Sequence, residues 1–124
     1  MTHRIGVIGS GSWGTALAVH LAHTGHDVCL WARDPALAAD MAAVRENRAY
    51  LPGIGLPSAL APASDMSVVL DGAQFVVIAV PSHGVRDVAR LANRYLPDGC
   101  AIVSATKGLE AGYVPIVTRQ AAKE

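Results

Sequence analysis

Apolar residues fall along this chain in two alternating rhythms. Continuous apolar runs come at Arg4–Ile8 (RIGVI), Asp27–Trp31 (DVCLW), Gln74–Val80 (QFVVIAV) and Cys100–Ser104, each with glycine or proline close by. Runs of this length, unbroken rather than alternating, mark strands buried on both faces. Between them the spacing turns helical. Thr15–Thr24 sets Leu17 and Leu21 one turn apart, Ala16, Ala18 and Ala22 keep the segment slim, and Gly25 stops it. Asp34 and Pro35 open a second helix, the aspartate as cap and the proline in the first turn, with Leu37, Met41 and Val44 on one face. Asp65–Leu70 predicts a brief helix. Val85, Val88, Ala89, Ala92 and Leu96 then recur at helical spacing, with Arg86, Asp87, Arg90 and Arg94 opposite, as in an amphipathic helix lying on a sheet. The tail from Pro115 to Glu124 also reads as helical. Residues 46–63 carry Pro52, Pro57, Pro62, Gly53 and Gly55, which predicts a long loop holding one short strand at Leu60–Ala63.

Strand and helix alternate throughout, and the strands are apolar on both faces. That predicts an α/β, doubly wound parallel sheet of about five strands. Right-handed crossovers give the order 3-2-1-4-5. No internal repeat or low-complexity segment interrupts it.

The chain has 124 residues, the size of one domain. Ten basic and ten acidic residues leave a formal charge of zero, which gives no electrostatic footprint for nucleic acid or a membrane surface. No apolar stretch approaches the roughly 18 residues of a membrane span, and the first residues carry no leader pattern. A cytoplasmic location is therefore expected. Cys29 and Cys100 sit in apolar runs without ligand-like spacing and read as small buried hydrophobes. One property stands out: 52% of residues are hydrophobic and only 16% charged, with a mean hydropathy of +0.33, where about 25% charged is usual. A domain this apolar carries surface that expects cover from a second domain, a partner subunit or self-association.

The glycines of residues 6–25 (GVIGSGSWGTALAVHLAHTG) define the chemistry. Gly9, Gly11 and Gly14 form G-x-G-x-x-G after a predicted strand and ahead of a helix, with the next strand inside about 30 residues. Gly9 would permit the tight turn, Gly11 the close approach of a pyrophosphate, and Gly14 close packing of helix on strand. The helix's unpaired N–H groups and positive dipole end would face the phosphates. This predicts a Rossmann-like fold and a dinucleotide ligand; the plainer alternative is a merely tight turn between strand and helix. At the end of the second strand, Asp34 stands where an acid can bond a ribose 2′-hydroxyl, although its simpler role is to cap the helix begun by Pro35. Arg33 is placed to hold a 2′-phosphate and stack on adenine.

Pro81, Ser82 and His83 follow the fourth strand, at the carboxyl edge where open α/β sheets bind ligands. His83 could serve there as a general acid, but a loop histidine more often only packs or meets solvent. His20, His23 and His26 cluster near the end of the first helix, with no carboxylate or cysteine placed to complete a metal site. Lys107, in the ATKGLE stretch after the fifth strand, faces the same edge and suits an anion.

GSGSWGTALA (9–18), LWARD (30–34), RENRAYLPGI (45–54), AVPSH (79–83) and ATKGLE (105–110) occur in this order. Together they resemble the amino-terminal half of bacterial-type NAD(P)-dependent glycerol-3-phosphate dehydrogenase. Hydroxyacid and ketopantoate-type reductases of the same superfamily share only the glycines. The resemblance implies an oxidoreductase that interconverts dihydroxyacetone phosphate and sn-glycerol 3-phosphate with NAD(P)H, feeding phospholipid synthesis. It implies that Ser12 and Trp13 contact the cofactor along with the backbone of Gly9, Ser10, Gly11 and Gly14. Arg33 matches a basic position at the adenosine end, and Tyr50 a position that touches the cofactor. Pro81, by its place at the carboxyl edge of the sheet, is expected to border the nicotinamide half, and Lys107 matches the family lysine bound to both cofactor and substrate. Ser10 replaces a frequent alanine and is equally small. The family's catalytic lysine, its last cofactor-domain strands and its helical substrate domain fall beyond residue 124. Residues 1–124 are accordingly expected to be a dinucleotide-binding domain, incomplete at its C-terminal end and inactive alone. The competing reading is a non-catalytic sensor of NAD(P)H, for which the phosphate-binding lysine of TKGLE has no evident use.

Overall fold

A computed structural model of the chain describes residues 2–81 and 84–105. Its elements run β1 (Arg4–Ile8), α1 (Ser12–His23), β2 (Asp27–Trp31), α2 (Pro35–Val44), β3 (Glu46–Asn47), β4 (Leu51–Gly55), β5 (Leu60–Ala63), α3 (Met66–Leu70), β6 (Phe75–Ile78), α4 (Val85–Asn93) and β7 (Ala101–Ser104). Five strands form one sheet in the order β5-β2-β1-β6-β7, every neighbouring pair parallel. Counting only this sheet's strands along the chain, the order is 3-2-1-4-5. What sequence reading did not foresee is a separate antiparallel hairpin, β3–β4, inserted ahead of β5.

The strands alternate even though both faces are apolar. Val7, Val28 and Leu30 point into one core with Ala18 and Val19 of α1 and Met41 of α2. Ile8, Trp31 and Ile78 point into the other, with Val69 of α3 and Val88 of α4. Each face of a parallel sheet thus gets its own helical layer. Cys29 and Cys100 are both buried in the second core. Burial pushes the Cys29 thiol above its usual range, with Asp27 adding to the rise and Arg4 opposing it.

Several expectations need correction. Helix α1 starts at Ser12 rather than Thr15, with Gly11 as its cap residue. Glycine in a first turn reads as a break, yet Gly14 lies inside the helix, at a position that must be glycine because a Cβ on it would overlap the Gly9 carbonyl. Residues 46–63 hold more structure than a loop. Pro52, Gly53 and Gly55 look like breakers, but an edge hairpin tolerates them. Side chains hold it: Glu46 accepts from the Gly53 N–H at 3.0 Å. Val44 is 43% exposed and does not share the buried face of Met41. The chain leaves the helix at Arg45, which adopts a left-handed conformation (φ 58°). That uncommon geometry is held by two bonds of 2.7 Å from the Arg45 guanidinium to the carbonyls of Pro57 and Leu60. Helix α4 ends at Asn93, short of Leu96, in a tight turn where Tyr95 N–H reaches the Ala92 carbonyl; Leu96 still packs on the core. The tail expected to be helical lies outside the described residues.

Candidate functional site

At the carboxyl end of the sheet, β1 sends its chain to one side through α1 and β2, while β6 lies on its other side. The turn after β1 closes against the turn after β6. Gly9 has φ +123°, and a Cβ on it would stand 2.5 Å from the Ala79 carbonyl. Gly9 N–H also reaches the Trp31 carbonyl at 3.3 Å, and Ala79 N–H the Ile8 carbonyl at 2.8 Å. Three strand ends are thereby drawn together around Gly9. Gly11, by contrast, has nothing within 4 Å of where a Cβ would sit. The first and third glycines are required by the protein's own packing, and the middle one faces open space.

That space is a cleft of about 340 Å³ lined by Gly9, Ser10 and Gly11, by Trp31 and Arg33 at the end of β2, and by the segment from Ala79 to Pro81 after β6. Gly84, Asp87 and Val88 of the α4 end complete the described lining. Arg33 places its guanidinium 5.9 Å from the Trp31 ring centroid, a cation–π contact. Trp31 is itself fixed by a 3.0 Å bond from its indole N–H to the Ser64 carbonyl. The cleft therefore offers bare backbone at its floor and an exposed cation on an aromatic platform at one wall.

Of the residues singled out from the sequence, Gly9, Ser10, Gly11, Arg33 and Pro81 line this cleft together. Ser12, Trp13, Gly14 and Tyr50 lie beside it. The Ser12 hydroxyl donates to the Tyr50 carbonyl at 2.7 Å, tying α1 to the hairpin, and Tyr50 leaves half its surface exposed. The Trp13 indole N–H donates to the Ala105 carbonyl at 2.7 Å, tying α1 to the end of β7. Asp34 acts as the cap, accepting from the Ala36 N–H at 2.9 Å. Ser82, His83 and Lys107 lie outside the described residues. His26 stacks on His3 at 5.4 Å, at the opposite end of β1 from the cleft, and no group of three metal-competent side chains gathers among the described residues. None of the described helices is long and apolar enough to cross a membrane.

Three residues were missed. Asp87 reads as solvated polar face in the sequence, but the first turn of α4 turns it into the cleft. Thr15 and Asn47 are the two fully buried polar residues among those described. Asn47 donates to the Ser10 carbonyl and to Thr15 Oγ1, both at 2.9 Å. Its only trace in the sequence is its place inside RENRAYLPGI.

Comparison with known proteins agrees with this geometry. Residues 4–124 match the family model described as NAD-dependent glycerol-3-phosphate dehydrogenase N-terminus. Glycerol-3-phosphate dehydrogenase [NAD(P)+] of Moorella thermoacetica is 50% identical over 110 residues, covering 89% of this chain and 33% of that protein. The Xanthomonas euvesicatoria protein of the same name is 43% identical over 111 residues, covering 90% and 33%. The crystal structure of glycerol-3-phosphate dehydrogenase from Coxiella burnetii superposes with a TM-score of 0.84 at 35% identity, covering 90% of this chain and 34% of that one. The chain spans about a third of the length of the curated relatives it matches. Matched along residues 4–124 by the family model and superposing closely on a solved member, the chain belongs to the NAD-dependent glycerol-3-phosphate dehydrogenase family, as its N-terminal, NAD-binding domain.

Proposed function

We propose that the cleft holds NAD(P)H with its pyrophosphate over Gly9, Ser10 and Gly11 and its adenosine end against Arg33. The observation that carries this is the contrast among the glycines: open space over Gly11, flanked by positions where the fold itself forbids a side chain. Backbone N–H groups at the start of α1 and the dipole of that helix favour a doubly charged linker there. Arg33 supplies the cation for the nucleotide's ribose or 2′-phosphate. Ser12, Trp13, Gly14 and Tyr50 form the rim, Pro81 borders the nicotinamide half, and Lys107 reaches cofactor and substrate.

In the whole protein this domain would serve the interconversion of dihydroxyacetone phosphate and sn-glycerol 3-phosphate, in the cytoplasm, as a supplier of phospholipid precursor. The coenzyme supplies the hydride; these residues bind and orient it. The isolated 124 residues bind coenzyme and turn over no glycerol 3-phosphate. What supports this reading is family membership together with the cleft; the substrate end rests on Lys107 alone.

Calorimetric titration with NADH and NADPH tests it. Both should bind, and Arg33→Ala should weaken NADPH by about 1.5–3 kcal/mol, the range for a hydrogen bond to a charged group, and NADH by less. No heat with either coenzyme would overturn the assignment, and measurable glycerol 3-phosphate oxidation by the purified chain would overturn its inactivity. In the full-length protein, Lys107→Ala should abolish triose phosphate binding and weaken NADH far less.

A further inference from the structure

Asn47 joins two parts of the cleft's surroundings that are far apart in sequence. Its side chain is fully buried. The amide nitrogen donates to the Ser10 carbonyl and to Thr15 Oγ1, both at 2.9 Å. The amide oxygen accepts from the Tyr50 N–H at 3.1 Å. Thr15 Oγ1 donates to the same Ser10 carbonyl at 3.2 Å. The Ser10 oxygen thus receives two donors, one from the hairpin and one from α1.

The peptide between Ser10 and Gly11 is planar and trans, so its C=O and N–H point in opposite directions. Holding the carbonyl toward Asn47 and Thr15 aims the Gly11 N–H away from them. Ser10 and Gly11 line the cleft, whereas Asn47 and Thr15 are fully buried and take no part in its described lining. The negative end of this peptide is therefore turned out of the cleft and the positive end toward it. Glycine tolerates φ of either sign, so nothing intrinsic to Gly11 prevents this peptide from flipping and presenting an oxygen to an anion.

We propose that Asn47 is a positioning residue: it locks the Ser10–Gly11 peptide so that an amide hydrogen, not a carbonyl oxygen, meets the coenzyme's pyrophosphate. This rests on the dinucleotide reading above. The role assigns the loss to one part of the ligand. Phosphate binding should suffer on removing Asn47, and adenosine binding should not.

Titration of the full chain with NADH and ADP by calorimetry, and with adenosine by NMR, separates the two. Asn47→Ala should weaken NADH and ADP roughly tenfold and leave adenosine within about twofold. Thr15→Val removes the second donor while keeping the side chain's shape, and should give a smaller loss of the same kind; it decides the matter if Asn47→Ala does not fold. Equal losses for ADP and adenosine, or an unchanged ADP affinity, would overturn the positioning role and leave Asn47 a plain tie between hairpin and helix. If the wild-type chain binds none of the three, the dinucleotide reading falls, and this role with it.

Discussion

At the scale of single residues, the three glycines of one motif answer to different constraints, and substitution should separate them. Gly14→Ala drives a methyl group into the Gly9 carbonyl. Backbone cannot yield as a flexible side chain does, so the cost should reach about 3 kcal/mol or more in denaturant unfolding. Gly11→Ala meets nothing in the protein, so stability should stay within about 0.5 kcal/mol while coenzyme affinity falls, because the methyl group would occupy the place proposed for the phosphates. A Gly11→Ala protein that binds NADH normally would remove the pyrophosphate from that position. Cys29 makes a prediction of another kind. Its thiol is buried and its pKa is raised by that burial, so the reactive thiolate is scarce at neutral pH. Thiol-reagent labelling of Cys29 should be slow until the protein is unfolded. The glycines could be read from the sequence because a fixed spacing encodes them. Asn47 could not, since its partners Ser10 and Thr15 lie 37 and 32 positions away and a single buried amide leaves no periodic signal.

Among the elements, those with local signals were legible. Strands β1, β2 and β5 keep the bounds that apolar runs and turn residues assign, and Asp34 and Asp65 mark the starts of α2 and α3 by capping them. The β3–β4 hairpin was hidden because its strength comes from side-chain-to-backbone bonds between residues that read as loop. Asp65 also sets a pH dependence. Bonds from the Ser67 hydroxyl and from the Ser67 N–H hold its carboxyl below the usual carboxylate range. A group whose pKa is lowered by folding stabilises the native state above its unfolded-state pKa, and that contribution is lost as pH falls through the native value. Wild type should therefore be more stable than Asp65→Ala at neutral pH, and the two should converge in acid below the normal carboxylate range. Urea unfolding across an acid series would show it; a gap that persists at the lowest pH would mean the carboxylate charge is not what caps α3.

For the molecule as a whole, the strand order follows from alternating elements and the handedness of crossovers, so topology was readable where individual contacts were not. For the substrate end the sequence offers Lys107, which lies outside the described residues. The cleft sits where the chain's path reverses between β2 and β6 across β1. Its floor is bonded to the ends of β2 and β6 and, through Ser12 and Asn47, to the hairpin. A ligand there should stabilise the domain as one unit: NADH at a hundred times its Kd contributes about 2.7 kcal/mol. The whole melting curve should then shift upward by roughly ten degrees in calorimetry, with no separate early transition. The same arrangement has a consequence for biosynthesis. Among the five described strands of the sheet, the earliest in this chain, Arg4–Ile8, lies between Asp27–Trp31 on one side and Phe75–Ile78 on the other. A nascent polypeptide leaving the ribosome keeps one flank of that strand bare until the later partner has emerged. Because Gly9 closes against Ala79, a cleft of this shape must wait during translation for the segment after Phe75–Ile78, even though the glycines of its floor are made far earlier.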